Sequence, residues 1–214
     1  MGIIKQGANG GFSGKAGSVV GSSWRNIDYI KGLPRKRSKA PTEKQLAQQA
    51  KFTFAIEFFQ PIKELLNMGF ADQRRGKTTG YNIALRELIK NAVTGDYPDY
   101  QIDYSQVQIS VGSLYHPPAT SLEATDSGVV KLSWTHIEKA MGTYNGDLTV
   151  VLLYNLQKKT FVVIAEEVLR SEGEQEITLP ESFSGDELAG WLFFVNKELK
   201  RQSRSVYSGT VTVL

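Results

Sequence analysis

From residue 42 onward the apolar positions change period once, and that change divides the chain. Leu46, Ala50, Phe54, Phe58 and Ile62 recur every four residues, and Phe52, Ile56 and Phe59 widen the stripe. This is the pattern of an amphipathic helix with a broad buried face. Thr42, with Gln45 three residues later, forms a capping-box start. Pro61 lacks a backbone donor, so the helix is predicted to kink or split after Gln60, and Leu65, Leu66 and Met68 carry it on to Gly69. A second helix is predicted from Thr79 or Gly80 to Thr94, with Ala84, Leu85, Leu88, Ile89 and Ala92 inward and Gly95 as terminator. Two such helices cannot bury both apolar faces against each other. Another layer must cover them.

Past Tyr97-Pro98 the period falls to two. Tyr100, Ile102 and Tyr104, then Val107, Ile109 and Val111, alternate with polar neighbours and predict short strands. Beyond Pro117-Pro118 follow strand-like runs at Val129–Trp134, Leu148–Asn155, Thr160–Glu167, Gln175–Leu179, Gly190–Asn196 and Ser205–Val213. Turn sequences such as Asp126-Ser127-Gly128, Asn145-Gly146-Asp147 and Ser184-Gly185-Asp186 separate them. Short strands without a helical pattern between them predict an antiparallel β-sandwich. Residues 1–41 differ again. Their eight glycines disfavour a helix, while Val19, Val20, Trp24, Ile27, Tyr29 and Ile30 allow one or two irregular strands. The predicted class is α+β: a glycine-rich basic arm (1–41), a helical hairpin with trailing strands (42–114) and a β-sandwich (115–214). Sequence alone leaves open whether the last two pack together.

Composition narrows the chemistry. The chain has no cysteine, which excludes disulfides, thiolate metal sites and cysteine nucleophiles. No apolar run approaches the roughly 20 residues of a membrane-spanning helix, so no membrane partner is expected. The N-terminus lacks the apolar stretch of about 7–15 residues that marks a secretory signal, so the expectation is cytoplasmic synthesis, with incorporation into a released particle open. Net charge is only +3, yet residues 1–110 hold sixteen Lys or Arg against nine Asp or Glu, and residues 111–214 hold nine against thirteen. A positive front and a negative back suit either an acidic partner or head-to-tail association of copies.

No catalytic, cofactor or metal site is predicted. Asn9-Gly10-Gly11-Phe12-Ser13-Gly14-Lys15-Ala16 is near a phosphate loop, but Asn9 stands where the first glycine belongs and Ala16 replaces the magnesium-binding hydroxyl. His116 and His136 are the only histidines and have no ligand spacing, so both are expected in a linker or loop. Glu172, Glu174 and Glu176 are expected to form a solvated strand edge that discourages pairing. The strongest feature is cationic: Lys31, Arg35, Lys36, Arg37 and Lys39, with Arg74, Arg75 and Lys77 and with Trp24 and Tyr29 among them. These ten are the expected contact residues. They suit self-association with acidic positions of a neighbouring copy, or nucleic acid through phosphate neutralisation and base stacking. No small-molecule substrate is evident.

Two resemblances bear on this scheme. Pro117-Pro118, Leu122-Glu123-Ala124 and Gly128-Val129-Val130-Lys131-Leu132-Ser133-Trp134 resemble the opening of a fibronectin type III module, a proline-led strand followed by one ending in a core tryptophan. Ile177-Thr178-Leu179-Pro180 and Gly190-Trp191-Leu192-Phe193-Phe194-Val195 resemble its later strands, though Phe or Trp stands where that family has a tyrosine. The front half, with Gly14-Lys15, Gly17, Val20, Trp24, Tyr29-Ile30 and Thr42-Glu43-Lys44-Gln45, Gln48, Lys51-Phe52, resembles an uncharacterised family of Bacteroidota found in phage and prophage regions. These resemblances imply an immunoglobulin-like sandwich and a structural or particle-associated role, without enzymatic activity.

Overall fold

Where an arm with one or two irregular strands is expected, the chain forms a four-stranded antiparallel sheet. The computed structural model describes residues 2–3, 12–34, 40–74, 76–137, 146–196 and 201–214. The strands are β1 (Gly2–Ile3), β2 (Gly14–Ala16), β3 (Val19–Trp24) and β4 (Ile27–Gly32), in the order β1-β4-β3-β2. The β3–β4 turn is Arg25-Asn26, both at positive φ, which matches the right-handed twist of a tight hairpin. Gly21 is buried because the backbone and ring of Phe12 lie where its Cβ would be. These strands belong to a unit spanning 1–43, and residues 44–214 form a second.

α1 (Glu43–Phe59) ends one residue before the predicted break after Gln60, Pro61 lies in a short 3₁₀ turn over Gln60–Ile62, and α2 (Lys63–Gly69) continues. The buried stripe is shifted from the predicted one. Ala55, Phe58, Phe59, Ile62 and Leu66 are buried, whereas Leu46 and Phe52 face solvent. A four-residue repeat drifts around a helix of 3.6 residues per turn, so one face cannot hold all five predicted positions. Thr79 caps α3 (Gly80–Glu87) by accepting a hydrogen bond at Oγ1 from the Asn82 amide at 3.2 Å. The helix then widens to a π-turn over Leu88–Ala92 and leads into β5 (Val93–Thr94), so it stops short of the predicted Thr94. Gly80 lets α3 approach the backbone of α2 at Leu66 and Asn67, with no room for a side chain there.

The alternation at 100–111 does not build the expected strands. Only β6 (Gln101–Ile102) pairs, with β5, and Tyr104–Gln106 is a 3₁₀ turn. Val107 and Ile109 are buried, but their segment takes its bonds from elsewhere. The Ile109 amide donates to Ser205 Oγ at 2.9 Å, the Ser205 amide to the Ser110 carbonyl at 3.0 Å, and Ser110 Oγ to the Ser203 carbonyl at 2.7 Å. Hydroxyls here replace a ladder, satisfying buried backbone groups in another way.

The remaining strands are β7 (Thr120–Asp126), β8 (Val129–Trp134), β9 (Leu148–Asn155), β10 (Thr160–Leu169), β11 (Glu174–Thr178), β12 (Glu187–Val195) and β13 (Val206–Thr212). They form a four-stranded sheet β10-β9-β12-β13 and a three-stranded sheet β11-β8-β7, all pairs antiparallel. This is a fibronectin III-like sandwich, and the α+β class holds. One cluster, with Leu132, Trp134, Leu153, Leu192 and Phe194, fills the space between the sheets. A second joins Val150, Leu152, Tyr154, Trp191 and Phe193 to Phe58, Phe59, Leu66 and Leu88 of the helical region. The four-stranded sheet is therefore the layer that covers the helices.

Candidate functional site

Register decides what the N-terminal sheet presents. Residues directly opposite in an antiparallel pair share a face, and that face repeats every second residue. Lys15 pairs with Val20, Val20 with Lys31, Ser22 with Tyr29 and Trp24 with Ile27. One face thus carries Lys15, Lys31, Tyr29 and Trp24 together. Trp24 is 53% exposed, and the Arg25 guanidinium lies 5.2 Å from its ring centroid. Lys31 Nζ lies 5.9 Å from the Tyr29 ring centroid. Each of these cations lies within cation–π range of an aromatic ring on or beside that face. Lys15, part of the motif that approaches a phosphate loop, belongs to this face; it sits on a strand, as no phosphate loop would have it.

Arg74 and Lys77 are exposed in the second unit, at the stretch between α2 and α3. Arg35, Lys36, Arg37, Lys39 and Arg75 lie outside the described residues. His116 and His136 fall outside the strands, as expected, and the His116 ring Nδ1 is 3.0 Å from the Pro117 carbonyl. Glu174 and Glu176 are exposed on β11, an edge strand, and Glu172 is exposed in the turn before it. Glu174 is engaged by Lys131 across the sheet at 2.6 Å, which raises the lysine's pKa, first through that hydrogen bond. Of the expected acidic counterparts, Glu172 accepts the Leu169 amide at 3.3 Å, and Glu176 keeps the more open position. Among the described residues no three His, Asp or Glu gather as metal ligands, and no helix is long and apolar enough to cross a membrane.

Two features of the second unit were not legible as sites. The first is an aromatic cleft of about 450 Å³ between α1 and the sheet, lined by Phe54, Phe58, Tyr100, Tyr104, Tyr154 and Phe161, with Glu57 and Lys159 beside them. Tyr154 and Phe161 ring centroids are 4.6 Å apart, and Phe58 meets Tyr154 edge-on at 5.0 Å. Burial pushes the Tyr154 phenol up to about 12, with Tyr104 adding to the shift. Burial also raises Tyr104, and Glu187 and Tyr207 act in the same direction. These phenols stay protonated at neutral pH. They are neither bases nor nucleophiles there.

The second is Arg170, fully buried after β10. Its Nη1 is 3.5 Å from Asp147 Oδ2, and its guanidinium lies 4.2 Å from the Phe194 ring centroid. Desolvation lowers its pKa, against the opposing pull of Asp147. The Trp134 indole donates to its carbonyl at 2.8 Å, so the residue ties the core tryptophan to the end of β10. Nothing at 169–172 in the sequence distinguishes this arginine from a surface one.

A family model described as a family of unknown function, DUF6266, matches residues 11–209. No curated protein matches the sequence. Among solved structures, the fn3 domain of human collagen α-1(XX) aligns at 11% identity and TM-score 0.36, covering 47% of this chain and 86% of that one. The twitchin kinase region of C. elegans aligns at 15% and 0.35, covering 47% of this chain and 17% of that one. The FN1–FN3 domains of chicken CNTN1 align at 11% and 0.32, covering 48% and 33%.

Proposed function

The chain belongs to the family of unknown function DUF6266, and from that premise we propose that it is a non-enzymatic structural or assembly protein, a component of a phage-like or other particle, that self-associates through its basic N-terminal half. The observation that carries this is the shared face of Lys15, Tyr29, Lys31 and Trp24. An exposed tryptophan and a half-buried tyrosine on one sheet face, each with a cation over its ring, are the residues that dominate protein contacts when desolvated. The acidic surplus of residues 111–214, with Glu172 and Glu176 solvent-exposed, supplies a counterpart on the next copy. A basic front meeting an acidic back is a heterologous contact, which propagates rather than closes at two copies. Opposite charge orients the encounter more than it tightens it.

Size-exclusion chromatography with light scattering of the full chain tests this. Species larger than a dimer are expected at low salt, shrinking as salt rises. Trp24→Ala with Lys31→Glu is expected to abolish them, and a protein that never exceeds a dimer would rule the reading out. The same cation–aromatic face is also suited to stacked bases. Steeply salt-dependent binding of random-sequence DNA by the full chain, lost in that double variant, would move the assignment to nucleic acid.

A further inference from the structure

The four-stranded sheet of the sandwich ends at β10, and among the described residues no strand pairs with its outer side. Natural proteins usually blunt such an edge with charge, proline or a bulge, because its unpaired backbone groups are a template for another chain. Here the ladder to β9 is regular from Thr160 to Ala165, and the irregularity comes only between Ala165 and Leu169. Those six residues read Thr-Phe-Val-Val-Ile-Ala, with no charge, glycine or proline. Val163 is 44% exposed.

The strand also has hollows beside it. Phe161 lines the aromatic cleft, while Val163 and Ala165 line an apolar groove of about 640 Å³ with Pro61, Leu65 and Met68. Residues 161, 163 and 165 share one face by the period of two. A strand laid against β10 would carry its alternate side chains over both hollows. That is the arrangement in which main-chain bonds supply affinity and side-chain recesses supply selectivity.

We propose that the occupant is β10 of a second copy, paired antiparallel about a two-fold axis at Val163. The charge pattern selects this occupant. Lys158-Lys159 precedes the neutral stretch and Glu166-Glu167 follows it. Antiparallel pairing of two identical strands sets the cationic end of each against the acidic end of the other, whereas parallel pairing sets like against like. Because opposite residues share a face, the register must centre on a residue. Centring on Val163 places Phe161 opposite Ala165 and Val162 opposite Ile164, and directs the Lys158-Lys159 end of each strand toward the Glu166-Glu167 end of the other. Large then meets small, and every facing pair from 161 to 165 is apolar. This contact uses nothing in residues 1–43 and closes at two copies.

Sedimentation velocity of the full chain is expected to show a concentration-dependent dimer. Val163→Lys, at an exposed position, puts two cations together at the axis and is expected to weaken the dimer by about tenfold or more, with an unchanged circular dichroism spectrum. Lys159→Glu and Glu167→Lys are each expected to weaken it, and the double exchange to restore it. Since the chain has no cysteine, Val163→Cys introduces a single thiol at the axis. Mild oxidation should link it into covalent dimers much faster than Glu176→Cys on the other sheet's edge strand.

A wild-type chain that stays monomeric at every concentration overturns the proposal. So does a Val163→Lys dimer as tight as wild type, a Val163→Cys chain no faster to cross-link than the control, or a charge exchange that fails to rescue. A dimer lost in the Trp24→Ala/Lys31→Glu variant but kept in Val163→Lys would overturn this proposal and sustain the N-terminal one. The reverse, with no larger species, would sustain this and remove the other.

Discussion

The two sheets of the sandwich differ in how many of their faces are covered. The four-stranded sheet has the other sheet on one side and the helices on the other. Its inner strands β9 and β12 are buried at nearly every position. Among the described residues of 44–214 the three-stranded sheet is covered on one side, and β8 and β11 alternate between more and less buried positions. The sequences carry the same distinction. Val150-Val151-Leu152-Leu153 and Trp191-Leu192-Phe193-Phe194-Val195 are continuous apolar runs, whereas Glu174-Gln175-Glu176-Ile177-Thr178 alternates. A continuous run in an antiparallel strand therefore reports a second covering layer, and here that layer is helical.

The largest test of this difference is Trp191→Ala. The ring is fully buried on the helix side, donates its indole N–H to the Tyr104 carbonyl at 3.3 Å, meets the Tyr104 ring edge-on and lies tilted against Tyr207. A loss of about 4–5 kcal/mol is expected in urea titration. Asp147→Ala should come close behind, at about 3–4 kcal/mol, because it strands the buried Arg170 charge. Arg170→Met strands the buried Asp147 carboxylate in turn and should cost about as much, whereas Asp147→Ala combined with Arg170→Met, which removes both charges and keeps the arginine's bulk, should cost much less. If the double variant costs as much as the two single ones together, the pair is a packing element and not an electrostatic one.

Leu132→Ala, in the cluster between the sheets, is expected to cost about 3 kcal/mol. On the open face of the same sheet, Lys131→Ala should cost under about 1 kcal/mol, since its partner Glu174 is exposed. Glu176→Ala should be within about 0.5 kcal/mol of neutral. A large effect at Glu176 would mean that the outer face is covered after all.

A pH series sharpens the contrast from the helix side. Tyr154 has its phenol raised by burial from 10 to about 12, so the folded state holds a proton that the unfolded chain has begun to release. Its contribution is fully present below pH 10 and is lost as pH rises from there through about 12. Stability should fall over that window, and Tyr154→Phe should flatten the fall. Phenolate absorbance alongside circular dichroism would report both.

Much of this fold was legible along the chain. The strands β8 and β9 lie at the positions their patterns predict, the Pro61 break falls after Phe59, and Thr79 caps the second helix. Each of these depends on neighbours in sequence: alternation, a missing donor, a side chain reaching three residues on. The failures share the opposite property. Residues 100–111 alternate as a strand does, yet Ser203 and Ser205, far along the chain, supply hydroxyl and backbone partners in place of a ladder. The ten expected contact residues rest on charge and proximity along the chain, which identify cations and aromatics but not the face they occupy.

The sequence by itself determined the period of each segment, the breaks between them and the separation of positive front from negative back, because those follow from local backbone preference and composition. Only the tertiary structure decided that Lys15 joins Lys31, Tyr29 and Trp24 on one surface, that Arg170 is buried beside Phe194, and that β10 forms an edge flanked by two hollows. Strand order and register bring together residues that no spacing rule connects, and the free energy that selects them is shared over a whole core.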